Sequence, residues 1–304
     1  MRSSSAPIYA ALAGGIAVSA TKLIAAAVTG SSGMFSEGLH SLIDTSDELL
    51  LLYGKHRASQ PPDEMHPFGH GQELYFWTLI VSLLIFTGGG AVSIYEGVQR
   101  ILHPIAPEAS MWNYIVLALA GVFEGASFVV GYRQMRKLFP DCTLLQVVHV
   151  STDPTLFTVV LEDISDLIGL SFAFFGILLS DLLHMPVFDG IASILIGLLL
   201  SAVAFVLVRE SRGLLTGESV GKPMRLRIRD ILHADPDVRA VNTPLTVHFG
   251  PDSVLLAVEI QFRDGLASRA VADAIQRIER AVRAEYPKVT HIFIEAEAIR
   301  SSAL

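Results

Sequence analysis

At 304 residues, 51% of them hydrophobic and 17% charged, the chain is too apolar for an ordinary soluble domain. It reads as a polytopic membrane protein whose surroundings are a lipid bilayer. A formal net charge of −8 excludes a nucleic-acid partner and strong attraction to anionic lipid. A single cysteine, Cys142, excludes an intramolecular disulfide and a cysteine-based zinc site.

Six apolar runs of spanning length follow one another. The first, Ile8 to Val28, begins after a lone arginine with no convincing cleavage site, so it is expected to be retained as an anchor. A Gly-Ser-Ser-Gly turn leads into the second, Met34 to Tyr53. The third runs from Tyr75 to Val98, the fourth from Asn113 to Tyr132, the fifth from Pro154 to Leu179 and the sixth from Val187 to Val208. Six spans put both termini on one side. Arg2, Lys55, Arg57, Arg133, Arg136, Lys137, Arg209 and Arg212 all fall on that side, and the opposite loops hold only Arg100, so both termini are expected to be cytoplasmic.

After Gly217 the composition turns charged and the apolar periods become those of a soluble domain. Arg225 to His233 reads as a short helix, Val241 to Phe249 and Val254 to Phe262 as strands around Gly-Pro-Asp-Ser turn chemistry. Leu266 to Tyr286 reads as a helix with Ala274, Ile278, Ala281 and Val282 on one face, and Val289 to Ile294 as a closing strand. The α-β-β-α-β order predicts a small α+β, ferredoxin-like domain with its sheet covered on one side. The expected division is a six-helix transport domain over 1–212 and a cytoplasmic domain over 213–304. A unit this small is marginal alone, so its open sheet face is expected to meet a partner.

The second span carries Glu37, His40, Asp44, Asp47 and Glu48. An ionisable group at bilayer depth costs about 2.5–3.5 kcal/mol on insertion scales unless something pairs with it. His40 and Asp44, four apart, share a helix face, and Asp47 falls near the same stripe. The fifth span answers with Glu162 and Asp166, again four apart, with Asp163 at their shoulder. His40, Asp44, Glu162 and Asp166 can surround one divalent ion with one nitrogen and three carboxylates. Asp47 and Asp163 are candidates for groups that orient a ligand. Glu124, deep in the fourth span, either lines the cavity or relays protons. Lys22 either snorkels or pairs with an acid on a neighbouring helix. His103, His149 and His184 lie near span ends and read as surface residues. In the loop after the second span, Asp63, His66 and His70 can converge on a metal if the chain turns at the Pro and Gly positions, although for a generic His-containing loop a solvated polar stretch is the favoured reading.

Several motifs in order resemble the cation diffusion facilitators, dimeric divalent-metal/proton antiporters. They are Thr29-Gly30-Ser31-Ser32, Glu37 to Asp44, Asp63-x-x-His66-x-x-x-His70-Gly71 and Ser93-Ile94-Tyr95-Glu96-Gly97 with Leu102-His103-Pro104. Asp189-Gly190-x-x-Ser193-x-x-Ile196-Gly197 and Ile292-Phe293-Ile294-Glu295 complete the series. The resemblance implies efflux of a divalent transition metal in exchange for protons by a homodimer, with the ion as substrate and no cofactor. It places His40, Asp44, Glu162 and Asp166 on the transport site and Asp63, His66 and His70 on a loop metal site. Zinc exporters usually begin the fifth-span pair with histidine. Glu162 in that place makes the site richer in oxygen and admits manganese, iron or cobalt beside zinc. Where the family's cytoplasmic domain binds a binuclear zinc cluster through histidines of its later strands, this chain has Glu259, Glu295 and Glu297, with His248 and His291 remaining. A bacterial inner membrane is the expected location. A non-transporting metal-binding partner or sensor of the same fold is the alternative. A membrane metalloenzyme ranks last, since no His-Glu-x-x-His motif occurs.

Overall fold

The computed structural model describes residues 6–104, 111–140, 143, 146 and 154–296, with side chains from residue 14 onward except at 134, 138, 154, 156, 157 and 160. Arg2, Cys142, His149 and Glu297 lie outside the described residues. The chain divides into two compact units, residues 1–55 with 76–211 and residues 56–75 with 212–304.

The first unit is built from helices: α1 (Ala6–Thr29), α2 (Ser32–Ala58), α3 (Glu73–Leu84), α4 (Val92–Leu102), α5 (Met111–Leu138), α6 (Pro154–Leu183) and α7 (Val187–Leu215). A π-helical segment, Ile85–Ala91, joins α3 to α4 without a break. Among the described residues, four stretches are long and apolar enough to cross a membrane: Glu73–Leu102, Met111–Lys137, Leu161–Leu183 and Val187–Leu215. Large side chains such as Ile24, Val122, Val130 and Phe205 face outward from these helices, as an integral membrane protein requires. The acids of α2 keep it off that apolar list, and the described apolar part of α1 is shorter, Gly14–Thr29. Every predicted span is helical, and most continue a turn or so beyond the apolar run.

Local chemistry sets the α1–α2 joint. Gly30, at φ +67°, takes the left-handed conformation that ends a helix at low cost. Ser31 then caps α2, its Oγ accepting the Met34 N–H at 3.1 Å. The same hydroxyl donates to Asp189 Oδ1 at 2.6 Å, while Ser32 N–H and Oγ–H donate to Oδ2 at 2.6 and 2.9 Å. Asp189, fully buried in the first turn of α7, thus satisfies the open N-terminus of α2 and complements its dipole. One turn along, the Ser36 and Ser193 hydroxyls meet at 2.6 Å. Two short polar seams therefore hold α2 against α7 at a fixed height.

In the second unit, helices α8 (Lys222–His233) and α9 (Ser268–Glu285) cover one face of a sheet formed by β1 (Val238–Val241), β2 (Leu245–Gly250), β3 (Ser253–Phe262) and β4 (Val289–Ala296). Strand β3 is central. It pairs in parallel with β4 along one edge, and antiparallel with β2 and then β1 along the other. The expected single strand Val241–Phe249 is thus divided: the β1 register runs on through Asn242 N–H to Glu259 C=O at 3.1 Å, Pro244 cannot donate to the ladder, and β2 resumes one residue out of step with Leu245 opposite Ala257. Ala274, Ile278 and Val282 of α9 enter the core as expected. Ala281 does not; it falls on the exposed shoulder of the helix. Arg277 clamps the β1 approach, donating to Asp235 at 2.9 Å and Asp237 at 2.7 Å, and the Arg277 contact holds Asp235 below the usual carboxylate range.

Candidate metal centres

Antiparallel helices α2 and α6 bring three of the four predicted ligands of the first unit together. His40 Nε2 lies 3.4 Å from Asp44 Oδ1 and 3.4 Å from Asp166 Oδ1. One ligand atom from each residue lies within 4.8 Å of the others. The spacing logic is direct: Asp44 follows His40 by one turn of α2, and Asp166 faces them from α6. His40 is buried, and the two carboxylates are nearly so. A neutral imidazole between two carboxylates leaves a formal charge of −2 in a water-poor site, an arrangement whose desolvation cost only a cation or protons can offset.

Glu162, the fourth predicted ligand, lies one turn of α6 from Asp166, buried, outside this tight trio, with Oε1 lacking a hydrogen-bond partner. It still acts on Asp44 through like-charge repulsion. Among the described residues, neither Asp47 nor Asp163, expected to orient a ligand, nor Glu124, expected to line the cavity or relay protons, hydrogen-bonds the trio. Asp163 accepts from Ser127 at 3.3 Å, Glu124 accepts from Lys22, and Asp47 is fully buried with neither carboxylate oxygen partnered.

Lys22 pairs within the protein; it does not snorkel. Its Nζ, buried in the helix bundle, donates to Glu124 Oε1 at 2.7 Å, Ser41 Oγ at 2.8 Å and Glu37 Oε2 at 3.3 Å. These contacts tie α1, α2 and α5 together beside His40. Glu37 and Ser41 are partners of Lys22 that the sequence reading did not assign. The signal was available: a lysine in mid-span needs an anion, and Glu37 and Ser41 lie four apart on the helix that follows it.

In the second unit, residues 56–75 carry the other expected cluster. Asp63 Oδ1 lies 3.2 Å from His66 Nδ1, and Oδ2 lies 3.2 Å from His70 Nε2. Gly69, at φ +87°, supplies the turn that folds His70 back over Asp63. The His66 N–H, donating at 2.6 Å, is the chief cause holding Asp63 below the usual carboxylate range. The carboxylate is therefore charged and preset. One carboxylate and two imidazoles fit three positions of a tetrahedral zinc-like site, and the buried, unpartnered Nδ1 of His70 leaves a second nitrogen uncommitted. Asp63, His66 and His70 would hold such an ion, which would pin the loop. The loop is seated on the sheet: Phe68 stacks on Phe249 with centroids 4.8 Å apart, and His291 meets Phe68 edge-on at 5.2 Å. Gly71 presses on the Phe249–Gly250 backbone so closely that any side chain there would collide. His248 is buried in β2, and burial lowers its ring below the ordinary imidazole value.

Comparison with known proteins follows the same lines. The family model described as the cation efflux transmembrane domain matches residues 8–216. The chain is 34% identical over 251 residues to the mitochondrial proton-coupled zinc antiporter SLC30A9 of Xenopus laevis, a match that takes in 82% of this chain and 45% of that protein. It is 28% identical over 231 residues to Metal tolerance protein C4 of Arabidopsis thaliana, across 75% of this chain and 50% of the relative. With the manganese efflux system protein MneP of Bacillus subtilis it shares 22% identity over 290 residues, 93% of this chain and 92% of the relative. The chain spans less than half the length of the zinc antiporter it matches.

Proposed function

The chain belongs to the cation efflux family of membrane transporters, and on that premise we propose that it exports a divalent transition-metal ion by exchange for protons. The observation that carries this reading is the trio His40, Asp44 and Asp166, an imidazole and two carboxylates from two helices converging inside an apolar bundle. Glu162 is the fourth ligand of the proposed set, reached when α6 shifts relative to α2. Zinc is the first candidate ion, supported by the zinc antiport for which the Xenopus relative is named; manganese, supported by the Bacillus relative and by the oxygen-rich donor set, stands second with iron and cobalt.

The ligands bind metal only when deprotonated, so metal and protons compete for one set of atoms. Facing the side of higher pH the site loads the ion; facing the acidic side it takes protons and releases it. Exchange then needs no further chemistry, only a site that opens to one side at a time. Six spans, cytoplasmic termini and a bacterial inner membrane complete the proposal, supported by the helical state of every predicted span and by the charge asymmetry of the loops. Pairing of two chains through the C-terminal units is part of the same reading.

Uptake of zinc and manganese into proteoliposomes under an imposed pH gradient tests it. Asp44→Asn and Asp166→Asn are expected to abolish uptake while the purified protein elutes as the wild type does. Retained uptake in both variants would reject the assignment.

A further inference from the structure

The pairing of α2 with α6 does not stop at the trio. Gly33 faces Ala173, the Glu37 carboxylate covers Gly169, and His40 meets Asp166, so residues ascending α2 meet residues descending α6. Continued in equal steps, Asp44 comes opposite Glu162 and Asp47 comes to the level of Thr158. Asp47 lies seven residues beyond His40 on the same stripe, about 10 Å along the axis at 1.5 Å per residue. Thr158 lies eight residues before Asp166, about 12 Å along α6 in the same direction.

At this level the buried polar atoms have no partners. Asp47 and Thr158 are fully buried and Glu162 is 8% exposed. Both oxygens of Asp47, the hydroxyl of Thr158 and Oε1 of Glu162 lack a hydrogen-bond partner in the protein. Farther up α2, two buried glutamates are answered by Lys22. Among the described residues no lysine or arginine forms an ion pair with Asp47 or Glu162. A buried carboxylate left unpaired costs several kcal/mol and a buried unpaired hydroxyl about 1–3 kcal/mol. A cation answers all of these oxygens together.

We propose that Asp47, Thr158 and Glu162 form a second cation position, one to two helical turns from the trio toward the C-terminal end of α2. Its donors are oxygen only, and Glu162 is shared between the two positions. The site takes a hard or borderline divalent ion, of the manganese or cobalt kind, more readily than it takes zinc. Resting on the transport reading above, it is the position the ion occupies on entering from the cytoplasmic side, before Glu162 passes it to His40, Asp44 and Asp166. Sharing Glu162 between the two positions accounts for its standing outside the trio with Oε1 unpartnered.

Equilibrium binding of manganese and cobalt to the full-length protein decides the matter. The loop ligands are first removed by Asp63→Ala, His66→Ala and His70→Ala. His40→Ala with Asp166→Asn is then expected to remove one ion per chain and leave another. The remaining cobalt should show the weak absorption of a six-coordinate, all-oxygen site. Asp47→Asn with Thr158→Val, both close to isosteric, is expected to remove that second ion and leave the first, with its stronger four-coordinate bands. In vesicles the same pair should raise the KM for manganese about tenfold with a much smaller change in maximal rate, a loss of about 1.4 kcal/mol in capture. The proposal is overturned if the trio-deficient protein binds no further ion at millimolar manganese. It is also overturned if Asp47→Asn with Thr158→Val leaves the stoichiometry unchanged, an arm that stands even if the trio variant does not fold. Binding is counted without transport, so a protein that moves no metal in vesicles would sink the transport reading and still leave this one decided.

Discussion

Residue by residue, spacing rules work where a cost forces a partner. His40, Asp44 and Asp166 were legible because three ionisable groups at bilayer depth have few destinations, and four-residue spacing puts them on one stripe. Glu162 satisfied the same rule and yet stands a turn away. Helical periodicity fixes a face and not a height, and height depends on how α2 and α6 slide. Lys22 shows the reverse: its need for an anion was legible, but its choice of both Glu37 and Glu124 depends on α1 lying between α2 and α5. Replacing it by methionine leaves two buried carboxylates unanswered. Lys22→Met is expected to cost about 3–5 kcal/mol of stability, read as a large drop in thermal unfolding temperature in detergent. Adding Glu37→Gln and Glu124→Gln should recover most of that loss. No recovery would mean that Lys22 stabilises by packing alone.

Among elements, the helices were legible from apolar length and the C-terminal strands from alternation and turn residues. The split of β1 from β2 at Pro244 was not, because a single interruption inside an apolar run looks the same as a bulge until the partner strand is known. Also illegible was the contact between the third and sixth predicted spans. Gly90 and Gly97 on one side meet Gly197 and Gly190 on the other, in reversed order and with equal seven-residue spacing. A Cβ on Gly97 would approach the Gly190 carbonyl oxygen to 2.6 Å, and one on Gly197 would approach that of Gly90 to 2.7 Å. Glycine here is a packing requirement that lets two backbones touch. Gly97→Ala is expected to destabilise the protein by about 1–3 kcal/mol through overpacking. Gly125→Ala, where an added methyl meets nothing within 4 Å, should change stability by less than about 0.5 kcal/mol. Equal tolerance at the two positions in a thermal-shift assay would show that the close approach is not required. The π-helical segment Ile85–Ala91 supplies Gly90 to this contact and also contains Gly88 and Gly89, which pack on Ile43 and Leu200. The side chain of Ile43 is next to Asp44 in sequence, so the same glycines border the helix that carries the trio.

For the whole molecule, composition separates an apolar N-terminal part from a charged C-terminal part. Residues 56–75 group with residues 212–304, seated through Phe68 on Phe249 and His291. No periodicity links positions so far apart in the chain, so the sequence reading placed Asp63, His66 and His70 on a loop without saying what the loop rests on. The transport reading joins the parts of the molecule through one physical requirement: a doubly charged ion and protons must compete for the same buried oxygens and imidazole. The most direct test loads a pH-sensitive dye inside proteoliposomes and adds zinc or manganese outside with no imposed pH gradient. The account predicts that metal entering through the wild-type protein drives protons out, so that the lumen turns alkaline in step with metal uptake, and that Asp166→Asn shows neither change. Metal entry with no change in lumenal pH, or an Asp166→Asn protein that still couples the two, would contradict it.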